Sequence, residues 1–302
     1  MRERGYPPDF AAALTVASAI VGPIIPPSVG LVVYAYLSGT SVARLFLAGL
    51  VPGILVGLSL MIFNRFYATR FGIPVEPRAS LRQILRAARD GVAALVAPGI
   101  IMFAIITGYT TATEAGVLAC AYALAVSMVY REFTWPRLWK ALSETMTMTA
   151  VVMVIIGFST VMGWLLAIEQ APQRLADTML SLTDSKPVFL GLLLVFFLII
   201  GCFVEGVPAK LILVPALLPL IDSYGVDRIH FGIIVQLALL IGIATPPMGI
   251  GLYVISEVAR VPFERVTIAI LPLLVPLIVV LVLITYFPFI SLALPDLVMG
   301  KG

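Results

Sequence analysis

Two proline-rich stretches interrupt otherwise apolar segments of membrane-spanning length, and they decide the fold. Residues 22–28 read Gly-Pro-Ile-Ile-Pro-Pro-Ser, and residues 242–249 read Gly-Ile-Ala-Thr-Pro-Pro-Met-Gly. Proline has no backbone N–H and its ring clashes with the carbonyl four residues earlier, so each stretch must unwind its helix. Unwound backbone at membrane depth is tolerated only where it is buried in protein or lines a cavity. We call the two stretches the first knot (22–28) and the second knot (242–249).

The composition is typical of a membrane protein. Of the 302 residues, 61% are hydrophobic and only 12% are charged, whereas soluble domains average about 25% charged residues. Apolar runs of about 20 residues, enough to cross a bilayer core, recur along the chain. The predicted fold class is an all-α polytopic membrane protein with discontinuous helices, in contact with membrane lipids. The formal net charge of +3 does not indicate a nucleic-acid partner, because the arginines lie in short connections.

The sequence contains no pattern of an enzyme. It has no Walker motif, no metal-ligand cluster and no nucleophile constellation. Cys120 and Cys202 both lie inside apolar segments, which favours two small hydrophobic side chains over a disulfide. We therefore predict neither catalytic residues nor a cofactor.

Five regions follow from the distribution of apolar and polar segments. The second half of the arginine-rich connection has apolar residues at helical spacing with Ser80 as its N-cap, which predicts an amphipathic helix on the membrane surface. The predicted regions are the end of a first repeat (1–63), a cytoplasmic connection (64–90), scaffold spans with an interfacial arm helix (91–144), the transport region of a second repeat (145–289) and a tail (290–302).

An internal repeat relates the two knots. Pro246 follows Pro26 by 220 positions, and Arg265 follows Arg44 by 221 positions. A broken span, a short turn and a proline-containing span thus occur twice, with chance in a biased composition as the alternative. Arginine-rich connections face the cytoplasm, which predicts that the two copies run in opposite directions. Inverted repeats surround a mid-membrane site in transporters, and the offset predicts roughly 130 further residues before Met1.

Several polar residues are predicted at helix starts. Glu114 follows Thr111 by three positions, the spacing of a capping box. His230, the single histidine, is predicted to cap or anchor a helix at the interface, with proton coupling as the alternative.

Two ionisable residues flank a predicted break at Gly206–Pro208. Ionisable side chains inside a membrane mark functional sites by default. Glu205 and Lys210 are predicted to form a structural ion pair, and contact with a substrate is the alternative.

The ordered set of motifs resembles the large membrane subunit of tripartite ATP-independent periplasmic (TRAP) transporters. The likeness extends from about residue 4 to residue 290. The motifs identify the family only when taken together in their order, because any one of them alone is a weak signal. The chain departs from the family pattern near Lys210, where an apolar residue is usual, and near Glu205, where Asp is common. Besides the knots, the matching stretches are Gly5-Tyr6, Phe10 to Thr15, Thr113 to Ala115, Gly163 to Leu166, Leu213 to Pro219 and Val226 to Gly232.

The resemblance implies an inverted-repeat elevator-type transporter with ion sites at the knots. It places the tip of a re-entrant hairpin at 157–163. It does not determine from which side of the membrane the hairpin at 145–168 enters. The alternative is that Ser159 and Thr160 hydrogen-bond within a continuous helix. The predicted sodium ligands are Gly157, Ser159, Thr160, Gly242, Thr245 and Met248, with a second half-site at Gly22, Pro27 and Ser28 and substrate candidates at Glu205, Lys210, Pro246 and Pro247.

The function implied is that of a permease subunit in a sodium-driven secondary transporter of the bacterial inner membrane. It would import an organic acid delivered by a periplasmic binding protein, together with a small four-helix membrane subunit. The alternatives are a stand-alone anion–sodium symporter of the same superfamily or an inactive truncated subunit. A membrane-embedded enzyme would need a catalytic cluster, and a membrane scaffold would have no use for two matched knots.

Overall fold

The computed structural model shows only α-helices among the regular elements of the residues that it describes. These are 1, 5–70, 72, 79–170, 174, 183 and 185–300, with the backbone alone at 90, 159, 160, 162, 163, 166 and 167. Twelve helices are bounded within these ranges. They are α1 (Pro8–Ala19), α2 (Val29–Ser38), α3 (Val42–Arg70), α4 (Leu81–Ile106), α5 (Ala112–Val129), α6 (Trp135–Ile168), α7 (Lys186–Phe203), α8 (Gly206–Ser223), α9 (Arg228–Ile243), α10 (Ile250–Ala259), α11 (Phe263–Tyr286) and α12 (Phe289–Met299).

The predicted polytopic membrane architecture is confirmed. Within the described part of the chain, six helices are long and apolar enough to cross a membrane, or up to seven if a bent helix pair counts as one span. The six are α3, α5, α6, α7, α8 and α11. The bent pair is α4, in which Leu81–Arg89 and Gly91–Ile106 meet at 59°. The amphipathic helix predicted from the sequence is the first arm of this pair.

The chain forms two compact units. One comprises residues 1–75 and 163–302, and the other comprises residues 76–162. The smaller unit holds α4, α5 and most of α6, and α4 packs against α5. Tyr122 on α5 donates a hydrogen bond of 2.9 Å to the carbonyl of Ala93 on α4. The larger unit contains both knots, and the predicted domain boundaries stay predictions.

The repeat is visible in the order of helices in the larger unit. The elements α1, α2 and α3 correspond to α9, α10 and α11, and the starts of the last two in each copy differ by 221 positions. The copies interlock, because α1 packs against α10 and α11 whereas α9 packs against α2 and α3. The helix order and spacing thus repeat as the sequence indicates, and the inverted repeat itself stays a prediction.

Both knots break their helices where the prolines predict. The first lies between the end of α1 at Ala19 and the start of α2 at Val29, and the second lies between α9 and α10. The Pro26–Pro27 and Pro246–Pro247 peptide bonds are both cis. Each unwound segment is followed at once by a ten-residue helix.

The break predicted at Gly206–Pro208 lies directly before these residues, at 204–205. Helix α7 ends at Phe203 and α8 begins at Gly206, so residues 186–220 form two helices. Helix α9 is buried along most of its length and packs against α7. A Cβ added to Gly242 would lie 2.5 Å from the Cα of Gly201. The backbones of α7 and α9 thus touch directly beside the second knot.

The hairpin tip predicted at 157–163 is wrong for this structure. Residues Trp135–Ile168 form one uninterrupted helix, so Gly157 lies within α6 and not at a turn. The stretch contains no proline, and a glycine in a helix costs only about 1 kcal/mol relative to alanine. Apolar neighbours on both sides therefore continue the helix, as the alternative interpretation held. The hydroxyls of Ser159 and Thr160 lie outside the described side chains.

The two predicted capping residues are confirmed. The Ser80 hydroxyl accepts from the Gln83 N–H at 3.4 Å, and the Gln83 side chain accepts from the Ser80 N–H at 2.8 Å. Thr111 and Glu114 make the same reciprocal pair at 3.3 and 2.7 Å. Each box satisfies two of the N–H groups that a helix start leaves without intrahelical partners.

The predicted capping role of His230 is wrong. Asp227 caps α9 and accepts from the N–H groups of Ile229 and His230 at 2.8 and 2.9 Å. The His230 ring is 1% exposed and points into the core. Its Nδ1 lies 2.8 Å from the Ser291 hydroxyl, and its Nε2 lies 3.2 Å from the Thr285 carbonyl. The short Asp227 side chain suits the cap position, which leaves the imidazole to join α9 to α11 and α12.

Candidate functional site

A cavity opens beside the first knot in the larger unit. Its volume is about 560 Å³. It is lined by the knot itself, by the first residues of α2 and α8, and by one face of α9. We call it the first-knot cavity. The polar or backbone-exposing residues on its wall include Gly22, Ser28, Gly30, Glu205, Gly206, Lys210 and Gln236.

Ser28 joins the unwound segment to α2. Its hydroxyl accepts from the Leu31 N–H at 3.4 Å, which makes it the N-cap of α2. The same hydroxyl donates to the carbonyl of Pro23 at 2.5 Å. A serine at an N-cap satisfies one of the free N–H groups of the helix start. Ser28 thereby fixes the direction in which α2 leaves the knot and closes one side of the cavity.

A buried polar cluster forms the back wall of the cavity. Lys210 and Gln236 are 2% and 3% exposed. The Lys210 ammonium donates to the Gly30 carbonyl at 3.1 Å and to the Gln236 Oε1. The Gln236 amide nitrogen in turn donates to the Pro23 carbonyl at 2.8 Å. The cluster therefore ties α8 to the first turn of α2, and α9 to Pro23 in the first knot.

The predicted ion pair between Glu205 and Lys210 is wrong. The ion pairs within 4.0 Å in the described part of the chain are Arg44–Asp296, Lys140–Glu144 and Arg228–Asp222. Glu205 is exposed, whereas the Lys210 side chain enters the core. The reason is that the Gly30 carbonyl in the first turn of α2 and the Gln236 side chain present oxygen acceptors to the ammonium. Both residues nevertheless line the same cavity, as expected for substrate candidates.

Two helix N-termini point backbone donors at this cavity. Helix α2 begins at Val29 and α8 begins at Gly206, and both residues are on the cavity wall. Glu205 makes no side-chain cap at the start of α8. The N–H groups of a first helical turn have no acceptors within the helix and carry partial positive charge. With the Lys210 ammonium behind them, they form a site suited to a carboxylate or another anion.

The second knot has a different setting. The Thr245 hydroxyl donates to the Ile241 carbonyl at 2.7 Å. The Gly249 N–H donates to the Cys202 carbonyl at 3.2 Å, which ties the end of the knot to α7. Pro247 and Met248 are exposed. A neighbouring cavity of about 400 Å³ is lined mainly by apolar side chains of α1, α9 and α10.

The structure separates the substrate candidates into two groups. Glu205 and Lys210 lie at the first-knot cavity beside the predicted half-site residues Gly22, Pro27 and Ser28. Pro246 and Pro247 lie at the second knot with Gly242, Thr245 and Met248. Gly157, Ser159 and Thr160 lie in α6. That these three meet the second knot stays a prediction.

Gln236 is a site residue that sequence reasoning missed. It is a single amide within the apolar run of α9, and its side chain contacts both Lys210 and the first knot. An isolated polar residue in a membrane helix is a signal of interhelical hydrogen bonding. That signal could have marked Gln236, but its partners lie far away in sequence and only the fold shows them.

These features define a polytopic helical membrane protein with a polar cavity at a broken helix, the architecture of a secondary transporter. The family described as "Tripartite ATP-independent periplasmic transporter, DctM component" matches residues 1–290. The chain belongs to this family, and it is accordingly a multi-pass transport protein of the inner membrane and not an enzyme. The resemblance found in the sequence is thus confirmed.

Several TRAP transporter permease proteins match almost the whole chain. The sialic acid TRAP transporter large permease protein SiaM of Vibrio cholerae is 43% identical, over 100% of this chain and 71% of the relative. The C4-dicarboxylate TRAP transporter large permease protein DctM of Pseudomonas aeruginosa is 39% identical, over 98% and 70%. The sialic acid TRAP transporter permease protein SiaT of Haemophilus influenzae is 35% identical, over 98% and 48%. The chain thus spans about seven tenths of the first two relatives and about half of the third.

Proposed function

We propose that the chain is the permease subunit of a sodium-driven transporter that imports an organic acid, with a carboxylate as the group recognised. The observation that carries the proposal is the first-knot cavity, where two helix N-termini and a buried ammonium converge. Helix N-termini at a broken helix bind the anionic group of transported substrates. The names of two relatives refer to sialic acid and C4-dicarboxylates, which are acids of this kind.

The proposed coupling ion is sodium, bound at the second knot. Broken membrane helices offer carbonyl oxygens that coordinate sodium. Gly242, Thr245 and Met248 would supply oxygens from the knot, since the Thr245 hydroxyl donates its proton to Ile241 and keeps its oxygen lone pairs. We propose Gly157, Ser159 and Thr160 of α6 as the further ligands, because the family resemblance implies them.

Two protein partners belong to the proposal. The family description names a tripartite and periplasmic system, which supports two components besides this chain. We assign them as a periplasmic binding protein that delivers the acid and a small four-helix membrane subunit. The family description also reads "ATP-independent", which supports the proposal that the sodium gradient supplies the energy for import.

Uptake into proteoliposomes tests the proposal. The chain would be reconstituted with its small subunit, and the binding protein and radiolabelled acids, including sialic acid and succinate, would be added outside. We expect uptake under an inward sodium gradient and none under a choline gradient or without the binding protein. Uptake without the binding protein would mean a stand-alone symporter. Equal uptake in sodium and in choline would contradict sodium coupling.

A further inference from the structure

A further cavity lies at the ends of three helices in the larger unit. Its volume is about 260 Å³. Its wall includes Asp9 from the first turn of α1, Tyr67 from the last turn of α3 and Arg265 from the first turn of α11. Pockets that enclose a drug-sized ligand measure roughly 300–1,000 Å³, so this cavity suits a small polar group. We call it the helix-end cavity, and its other wall residues are Phe10, Ile268, Ala269 and Pro272.

The wall of the helix-end cavity carries a carboxylate and a guanidinium that do not pair with each other. In the described part of the chain, the ion pairs within 4.0 Å include neither Asp9 nor Arg265. One oxygen of Asp9 accepts from the Phe10 N–H at 2.8 Å, within its own helix. The rings of Phe10 and Tyr67 stack with their centroids 3.5 Å apart and form the wall beside these charges. Two opposite charges on one wall, without direct contact, favour a ligand that carries both signs.

Arg44, which precedes Arg265 by 221 positions, shows what an arginine at this place binds. Arg44 lies near the start of α3, as Arg265 lies near the start of α11. The Arg44 guanidinium donates to the Asp296 carboxylate at 2.6 Å and to the Gly300 carbonyl at 3.0 Å. The guanidinium fork suits the oxygens of a carboxylate or a phosphate. Arg265 has the same fork beside a cavity, so an oxyanion from outside the chain is its expected partner.

An apolar face of α11 borders the helix-end cavity. Ile268 on the cavity wall is exposed, and so are Leu271 and Val275. Spacings of three and four positions place these side chains on one face of the helix. Helices α3 and α11 are both long and apolar enough to cross a membrane. Their ends therefore meet phospholipid headgroups, and basic pockets between membrane helices bind such headgroups.

We infer that the helix-end cavity binds the headgroup of a membrane phospholipid that carries a phosphate and a primary ammonium, as phosphatidylethanolamine does. Arg265 donates to the phosphate oxygens, and Asp9 accepts from the ammonium. The acyl chains lie along the exposed face of α11. The Asp9 carboxylate repels a headgroup that carries negative charge alone, and a choline headgroup has no N–H to donate. The site requires neither the proposed acid nor the proposed sodium ion.

Thermal unfolding of the purified permease complex in detergent, with phospholipid added, tests the inference. We expect phosphatidylethanolamine, at ten times its dissociation constant, to raise the melting temperature of the parent by about 3 °C. Phosphatidylglycerol and phosphatidylcholine at the same concentration should raise it less. Arg265→Gln should lose the response to phosphatidylethanolamine, and Asp9→Asn should respond to phosphatidylglycerol as strongly as to phosphatidylethanolamine. Arg65→Gln and Glu264→Gln are the matched controls, because both are exposed charges outside the cavity wall, and they should respond as the parent does.

Equal stabilisation of the parent by the three phospholipids would overturn the inference, and that measurement needs no variant. An unchanged preference for phosphatidylethanolamine in Arg265→Gln would overturn it as well, because the lipid would then bind elsewhere. Phosphoethanolamine, which has the same headgroup without acyl chains, separates a lipid from a soluble phosphate ester. If phosphoethanolamine stabilises the parent as strongly as the lipid does, the lipid assignment is wrong. Stabilisation by the lipid alone would support it.

Discussion

Gly30 illustrates how closely the residues of the first-knot cavity approach one another. A Cβ at this position would lie 2.5 Å from the Gln236 Oε1 and 2.6 Å from the Lys210 Nζ. We expect Gly30→Ala to lower the free energy of unfolding by about 1–3 kcal/mol, because overpacking displaces buried groups. Thermal unfolding in detergent measures this. Gly57→Ala is the control, since a Cβ at Gly57 meets nothing within 4 Å, and it should be neutral or stabilising. Equal stability of both variants would contradict the packing described.

Thr245 is the residue on which the proposed sodium site depends most. Thr245→Ala removes one oxygen from the second knot, so we expect the sodium concentration for half-maximal uptake to rise about tenfold, which corresponds to 1.4 kcal/mol of lost binding. Ser159→Ala should act in the same direction. The control is Thr69→Ala, because Thr69 makes the same hydrogen bond to the carbonyl four residues earlier, at 2.8 Å on α3. Unaltered sodium dependence in both test variants would show that the ion binds elsewhere.

At the scale of helices, the prolines of each knot keep two helices separate. Replacing Pro246 and Pro247 by alanine would let α9 and α10 join, because a proline inside a helix costs about 3 kcal/mol relative to alanine. Joining withdraws the free carbonyls into helical hydrogen bonds. We therefore expect the double variant to unfold at the same temperature as the parent or higher, and to lose sodium-driven uptake.

Controls for this variant come from the chain itself. The double change at Pro26 and Pro27 should behave alike if the two copies of the repeat are equivalent. Pro272→Ala should leave uptake unchanged, since α11 continues through that proline. Full transport by the Pro246/Pro247 variant would mean that the broken helix is not the ion site.

The elements that the sequence predicted well are those set by local chemistry. The knots, the α7–α8 break and the two capping boxes follow from prolines and from side chains that act within a few residues. The hairpin tip that the family resemblance implied at 157–163 is wrong for this structure, because the glycines there permit a turn but do not require one. The partners of Lys210 could not be predicted, since Gly30 and Gln236 lie 180 and 26 positions away. Only the interlocking of the two copies brings them together.

At the scale of the whole molecule, the repeat produces one polar and one apolar half. The first-knot cavity holds Lys210 and Gln236, whereas the cavity beside the second knot is lined mainly by apolar side chains. A transporter that binds an acid and an inorganic cation needs different chemistry at its two broken helices. This difference supports the proposal that the acid binds at the first knot and the sodium ion at the second.

A structure of the complete complex with its transported acid bound in sodium tests the central claim most directly. The account predicts that the carboxylate lies in the first-knot cavity, within hydrogen-bond distance of the Gly206 and Val207 N–H groups and next to Lys210. An acid bound at the second knot, with the first-knot cavity empty, would contradict the account.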